Sequence, residues 1–480
     1  MSIRTCDILM GNLHEGDATS AHAFELARLL QSHGVNVRIH CNYPVGSLPG
    51  DIQPLSRTTH PGDYFPAADL TILEYPLWYP LAERFRDAPG AKIFWYHGVT
   101  PPALWGTDIQ RDLLARAEAG TELAWYAHLA VTASPFTAQE LRSHSGYPQE
   151  RIRTVPLGVD IAAFRQKPPP SELRSHRRKW KLEDKRVLLY TGRVAGNKRI
   201  DLLIQALARL RDTYRDLHLL IVGDTKGAPA YREMAAKLRA QADQLGLASH
   251  VTFTGWVPAI MPYYHLAEAY VTASQHEGFG VPLLEAMAAG VPIIASASGG
   301  MPWVLNAQTS NTEPAGLLFP EGDVDALARQ VSRVLEERAL RGELIERGYE
   351  RVGYFSREQF NLRATKVLDE ANALARQGPP PAAYRVQNRL YDQADVSLRN
   401  YRVRSKVPVL GPLIEWIRRN STTHVKEAYL DRIIERQVLY NRLLASEILQ
   451  LRAEIARLHK ERGRDTESGS TDEDSLDNGN

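Results

Sequence analysis

One pattern governs any reading of this 480-residue chain: short apolar runs alternate with stretches of helical periodicity, and the alternation occurs twice. The first set places apolar runs at 7–10, 35–39, 70–73, 91–96 and 129–132, with a helix-period stretch over 21–33. A strand followed by a helix and then another strand predicts a parallel sheet covered by helices. Around 155–170 the periodicity fails, and Lys167-Pro168-Pro169-Pro170 can continue neither a helix nor a central strand, which predicts an interdomain linker. A second alternation follows, with runs at 187–190, 217–222 and 291–294 and a helix over 200–211. The expected fold is therefore α/β, built as two similar doubly wound domains.

Composition narrows the function classes. An apolar fraction of 44% and a charged fraction of 24% permit ordinary cores, and a net charge of +2 supplies no whole-protein field to recruit nucleic acid. Cys6 and Cys41 are too few for a disulfide framework and lack zinc-ligand spacing, so they read as buried thiols in a reducing compartment. The N-terminal residues carry no signal-peptide core, and no stretch reaches the ~20 apolar residues that span a bilayer. The expectation is a cytoplasmic protein that meets a membrane, if at all, peripherally at its inner face.

The C-terminal part differs in kind. Gly378-Pro379-Pro380-Pro381 breaks the composition, and the basic, Trp-containing stretch 399–419 suits either a lipid interface or packing on the core. From Leu430 to Leu458 a seam of Leu430, Ile434, Gln437, Asn441, Leu444, Ile448, Leu451 and Ile455 steps alternately by four and three. That is a heptad pattern, which predicts a coiled coil and a homo-oligomer, or a lone helix docked on its own domain. The acidic, Ser/Gly-rich 465–480 should be a disordered tail.

The chemistry concentrates in Ser274-Gln275-His276-Glu277-Gly278-Phe279-Gly280-Val281-Pro282-Leu283-Leu284-Glu285-Ala286-Met287-Ala288-Ala289-Gly290. Its glycines allow close backbone approach, Pro282 suits the first turn of a helix, and the N–H groups at that helix start would face an anion such as a diphosphate. Glu277 before the helix and Glu285 within it offer acceptors to the hydroxyls of an extended ligand. After the first strand of the second domain, Arg193 and Lys198 would project from a strand end as two fixed cations. In the first domain, Trp95-Tyr96-His97-Gly98 ends a strand with a histidine at the carboxyl edge, where open α/β sheets bind ligands. Taken singly, these residues also read blandly, as solvated acids and cations and a structural histidine.

Together they closely resemble the E-x7-E signature of the family 4 retaining glycosyltransferases, over roughly residues 1–375. The resemblance implies the GT-B fold, two Rossmann-like domains facing across a cleft: an acceptor domain over 1–165, a linker over 166–182, a donor domain over 183–350, a helix over 351–376 returning to the first domain, and a helical extension over 377–464. It implies that Glu285 holds the ribose diol and Glu277 the transferred sugar, that Arg193 and Lys198 stabilise the departing diphosphate, and that His97 sits near the sugar. Gly278, Phe279, Gly280, Val257 and Gly16 complete the expected donor site, Val257 beside the base and Gly16 in a Gly16-Asp17-Ala18 loop like that of one subgroup. Asp17 there either touches a substrate or caps the following helix.

No cofactor or essential metal is expected. Asp323-Val324-Asp325 resembles a metal-binding pair but precedes a helix, where Asp is a favoured cap, and Gly299-Gly300 reads as a turn near the nucleotide. The expected partners are a nucleotide-sugar donor and a glycan or lipid-linked acceptor in cell-surface polysaccharide biosynthesis. Two alternatives stand beside this: a sugar-nucleotide epimerase of the same fold, and a non-enzymatic assembly subunit using the coiled coil.

Overall fold

The computed structural model describes residues 3–14, 17–45, 55–57, 67–104, 108–308 and 313–379, and the separate positions 437, 441, 444 and 448. The first sheet comprises β1 (Thr5–His14), β2 (Asn36–Val45), β3 (Leu55–Arg57), β4 (Leu70–Tyr75), β5 (Ala91–Tyr96), β6 (Leu129–Thr132) and β7 (Ile152–Thr154), ordered β3-β2-β1-β4-β5-β6-β7. The second comprises β8 (Arg186–Thr191), β9 (Leu217–Val222), β10 (Val251–Gly255), β11 (Ala267–Thr272), β12 (Ile293–Ser296) and β13 (Leu317–Phe319), ordered β10-β9-β8-β11-β12-β13. Every described strand pair is parallel. Each order reverses direction once, between β1 and β4 and between β8 and β11, and such a switch opens a crevice at the carboxyl ends of the strands.

Both faces of each sheet are covered, so its strands are apolar on both sides. Along β1, Ile8 and Met10 join one core with Ile72 and Ile93, while Leu9 faces another with Leu73 and Phe94. The same two-residue period places Leu188 and Tyr190 on one side of β8 and Leu189 on the other. Cys6 and Cys41 are buried thiols in the first core.

The first domain's helices are α1 (Ala18–Ser32), α2 (Asp108–Ala119) and α3 (Pro135–Ser145). The linker expected over 166–182 is largely helical: after α4 (Ile161–Arg165) comes α5 (Pro170–Lys179). Pro170 opens this helix because a first-turn residue has no N–H to bond within the helix. The second domain carries α6 (Ile200–Leu210), α7 (Pro229–Gln244), α8 (Met261–Tyr264), α9 (Val281–Ala289), α10 (Met301–Val304), α11 (Val324–Glu336) and α12 (Arg338–Gly353).

The last described helix of the body, α13 (Arg357–Gln377), belongs to the first domain. Phe360, Ala364, Val367, Leu368 and Ala371 form a helical stripe inside the core that holds Ile8, Trp95 and Val131. The guanidinium of Arg153 on β7 donates to the Glu370 carboxylate at 3.0 Å from the other side of the join. The chain thus crosses between domains twice, and the crossings lie side by side, bridged at Val159 and Ser356. Of the heptad seam, only Gln437, Asn441, Leu444 and Ile448 are described; they are helical, Gln437 donates to Asn441 at 2.8 Å, and Leu444 is half exposed. The basic stretch 399–419 and the acidic tail lie outside the described residues.

Candidate functional site

The two switch points face each other. Ser134, capping α3 after β6, donates its hydroxyl to the Gly278 carbonyl after β11 at 2.6 Å, and His276 contacts Glu140 of α3 at 2.5 Å. A Cβ placed on Gly278 would stand 3.0 Å from the His97 carbonyl oxygen, so the motif loop passes directly over the turn that follows β5. Gly98 has φ +89°, a left-handed backbone that glycine adopts without strain and that turns the chain away at this contact.

On the second domain's side, the β8–α6 loop and the β11–α9 loop meet at the switch point. The Lys198 ammonium donates to Glu277 Oε2 at 2.5 Å. Burial pushes the Glu277 carboxyl up, but Lys198, then Arg193 and His276, outweigh it and hold the group below its ordinary value. Glu277 is therefore an anion at neutral pH, with 24% of its side chain open. Burial opposes the charge of Arg193, yet Tyr231 of α7, Asp17 of the first domain and Glu277 more than restore it. Arg193 thus feels carboxylates of both domains, Asp17 of the first and Glu277 of the second.

Glu285, on α9, accepts from the Tyr264 hydroxyl at 2.6 Å, and that hydroxyl also contacts Thr191 Oγ1 at the end of β8 at 2.8 Å. Burial raises the Glu285 carboxyl to about 6, with the Tyr264 bond opposing the shift. Gly280, φ +100°, is the N-cap of α9 and brings no side chain to the first turn, so its N–H groups stay available to an anion.

Of the other expected donor contacts, two are described. The Phe279 ring is buried, with its centroid 6.2 Å from Trp303 and 5.6 Å from Phe355, so it anchors the motif loop on the second domain's core. Val257 is half-buried and packs on the same core. Gly16 lies outside the described residues. Asp17 is a helix cap, its carboxylate accepting from the Ser20 amide at 3.0 Å while also facing Arg193. Asp323 caps α11 through the Ala326 amide at 2.8 Å, and Asp325 pairs with Arg209.

On the first domain's side, His97 follows β5, and its Nε2 contacts Oε2 of Glu74, a buried residue of β4. His22 of α1 contacts the same oxygen through Nδ1 at 3.2 Å. Among the described residues, His22, Glu74 and His97 are the one group of three whose ligand-type atoms lie close enough to share an ion, all within 4.8 Å. Sequence reasoning missed Glu74, His22 and Tyr264. The signal for Glu74 was a charge in the otherwise uncharged strand 70–75; nothing local marked the other two.

The profile of the family described as "Glycosyl transferases group 1" matches residues 173–351, the second domain. The chain is 31% identical over 271 residues to a GDP-mannose-dependent alpha-(1-6)-phosphatidylinositol monomannoside mannosyltransferase of Mycolicibacterium smegmatis, covering 51% of this chain and 67% of that protein. This chain belongs to the group 1 glycosyl transferases. As a group 1 glycosyl transferase it is also 32% identical over 176 residues to the lipopolysaccharide core biosynthesis glycosyltransferase LpsE of Rhizobium meliloti, covering 36% of this chain; there it spans about half the relative's length, 47%. The fold is shared with Anabaena HepE, solved in complex with UDP-glucose, at a TM-score of 0.58 and 18% identity over 77% of this chain and 100% of that one. The two facing sheets of this group 1 glycosyl transferase are thus the GT-B arrangement, and the epimerase alternative gains no support from these relatives. Among the described residues, no helix is long and apolar enough to cross a membrane.

Proposed function

We propose that this protein is a retaining glycosyltransferase that moves a sugar from a nucleotide-sugar donor to a glycan or lipid-linked acceptor in cell-surface polysaccharide assembly. The observation that carries the reading is the meeting of Glu277, Lys198 and Arg193 at the second sheet's switch point, opposite the edge of the first sheet that bears His97. HepE with UDP-glucose and the GDP-mannose-dependent relative support a nucleotide-sugar donor. LpsE and the phosphatidylinositol mannoside enzyme support glycan and lipid-linked acceptors.

In this reading Glu285 accepts hydrogen bonds from the ribose diol. The α9 N-terminus, Arg193 and Lys198 hold the diphosphate and stabilise the charge that grows on it as the glycosidic bond breaks. Lys198 neutralises Glu277 until the donor arrives, then turns to phosphate while Glu277 accepts from sugar hydroxyls. No side chain here is an evident covalent nucleophile, so retention proceeds by front-face substitution through an oxocarbenium-like state, the leaving phosphate taking the acceptor proton. Closure of the domains excludes water, which would otherwise hydrolyse the donor.

The test is a thermal-shift screen of sugar nucleotides, UDP-glucose and GDP-mannose among them, followed by transfer with the donor that stabilises the fold most. A selective shift and an axial product from an axial donor are expected. No shift with any sugar nucleotide, or inversion at the transferred carbon, would defeat the reading.

A further inference from the structure

His22, Glu74 and His97 come from three elements that only the sheet order brings together: α1 follows β1, Glu74 ends β4, and His97 follows β5, with β1, β4 and β5 adjacent at the first domain's switch point. Glu74 has no exposed surface, and one of its oxygens, Oε2, takes both imidazole contacts. The other oxygen, Oε1, and the far nitrogen of His22, Nε2, are buried with no hydrogen-bond partner among the described residues. Leaving buried polar atoms unmatched is costly.

A carboxylate only accepts hydrogen bonds, so both imidazoles must present N–H to it: His22 through Nδ1 and His97 through Nε2. The charge on Glu74 is secure. Burial would raise its carboxyl, but His22 and then His97, by charge and hydrogen bond, hold it down at about 2. Burial lowers the His22 imidazole, and the attraction of Glu74 offsets this only in part. The ring of His22 is fixed too, its centroid 4.6 Å from Trp95 and 5.5 Å from Phe360 of α13. His22 is thus a rigid brace that keeps Glu74 in place.

We infer that Glu74, braced by His22, is a positioning residue that locks His97 in the Nε2–H tautomer and leaves its Nδ1 as a hydrogen-bond acceptor for a substrate hydroxyl in the cleft. This rests on the transferase reading above. The consequence is chemical: in the Nε2–H tautomer a bare Nδ1 accepts from a hydroxyl, whereas the opposite tautomer would offer a donor there. Glu74 touches no substrate and acts only through the ring.

The experiment uses the full-length chain with 15N-labelled histidine, the His97 signals being assigned by their loss in His97→Gln. Wild-type protein should show a protonated Nε2 and an unprotonated Nδ1 at His97. In Glu74→Gln, whose amide can donate to Nε2, this bias should be lost, and kcat for sugar transfer should fall by about a hundredfold, with KM for the donor within about threefold. Glu74→Asp, which keeps the charge, should recover part of the kcat and the Nε2–H signal, and it stands in should the Gln variant fail to fold. An unchanged tautomer or an unchanged kcat in folded Glu74→Gln would overturn the inference. So would zinc retained stoichiometrically by the wild type after dialysis and lost in Glu74→Gln, because a metal would replace the Nε2 proton. The spectrum decides the tautomer claim without turnover, so a wild-type chain inactive with every donor would count against the transferase reading alone.

Discussion

The two domains share one architecture and put it to opposite electrostatic use. At the second switch point Glu277 has one ammonium partner and Arg193 feels carboxylates of both domains, charges that the proposed function assigns to a ligand. At the first, the one buried acid is already held by two imidazoles of its own domain. A site that binds a dianionic diphosphate needs cations it can redirect, whereas a site that orients a neutral hydroxyl needs a fixed acceptor and little net charge. On the proposed reading, the same fold supports a grip on one side and a guide on the other. The cores differ as well, for the first is completed by α13, supplied after the whole second domain, and the second is completed mainly by its own residues.

The largest effect expected from this contrast is on stability. Phe360→Ala, which empties a fully buried ring site in the first core, should cost about 3–5 kcal/mol in that domain alone. Urea unfolding followed by a probe in each domain should then show two transitions; a single shifted transition would mean that the domains unfold as one unit. Next comes Arg193→Ala, expected to lower kcat for transfer by about 10²–10³-fold with a smaller loss of donor affinity, since the guanidinium acts on charge that develops in the transition state. Steady-state kinetics showing the whole loss in KM would make Arg193 a binding group only, and would blur the distinction drawn above.

A smaller change follows from Glu285→Ala: weaker nucleotide binding by about 1–3 kcal/mol in calorimetry, with an intact fold. Unchanged affinity would remove Glu285 from the site. The smallest is a pH effect. Burial raises the Glu285 carboxyl to about 6, above its unfolded value, so its contribution to stability is fully present below that unfolded value and is lost as pH rises through about 6. Nucleotide binding runs the other way, because the ribose diol needs the ionised acceptor. Affinity should fall by roughly tenfold from pH 7 to pH 5, and the slope should vanish in Glu285→Gln. An equal slope in the variant would assign the titration elsewhere.

How much of this the sequence disclosed depended on distance along the chain. Glu277, Gly280 and Glu285 sit within nine positions, and Arg193 and Lys198 within six, so their grouping is visible in the linear text. The two alternating series likewise displayed two parallel sheets, since periodicity is a local property. Glu74, 52 residues from His22 and 23 from His97, becomes a partner only when β4 lies between β1 and β5. The anchor of Phe279 was hidden for a related reason: its ring packs on Trp303 and Phe355, more than twenty residues downstream. The proline run before α5 was read as a break because a proline halts a helix from within but can begin one.

The return of α13 sets an order of events during synthesis. Residues 1–165 leave the ribosome with Trp95 and His22 uncovered on the face that Phe360 will fill, and that face stays open until α13 has emerged. A nascent chain paused within the second domain would display that apolar face to chaperones, and a truncation before residue 357 would leave it permanently uncovered.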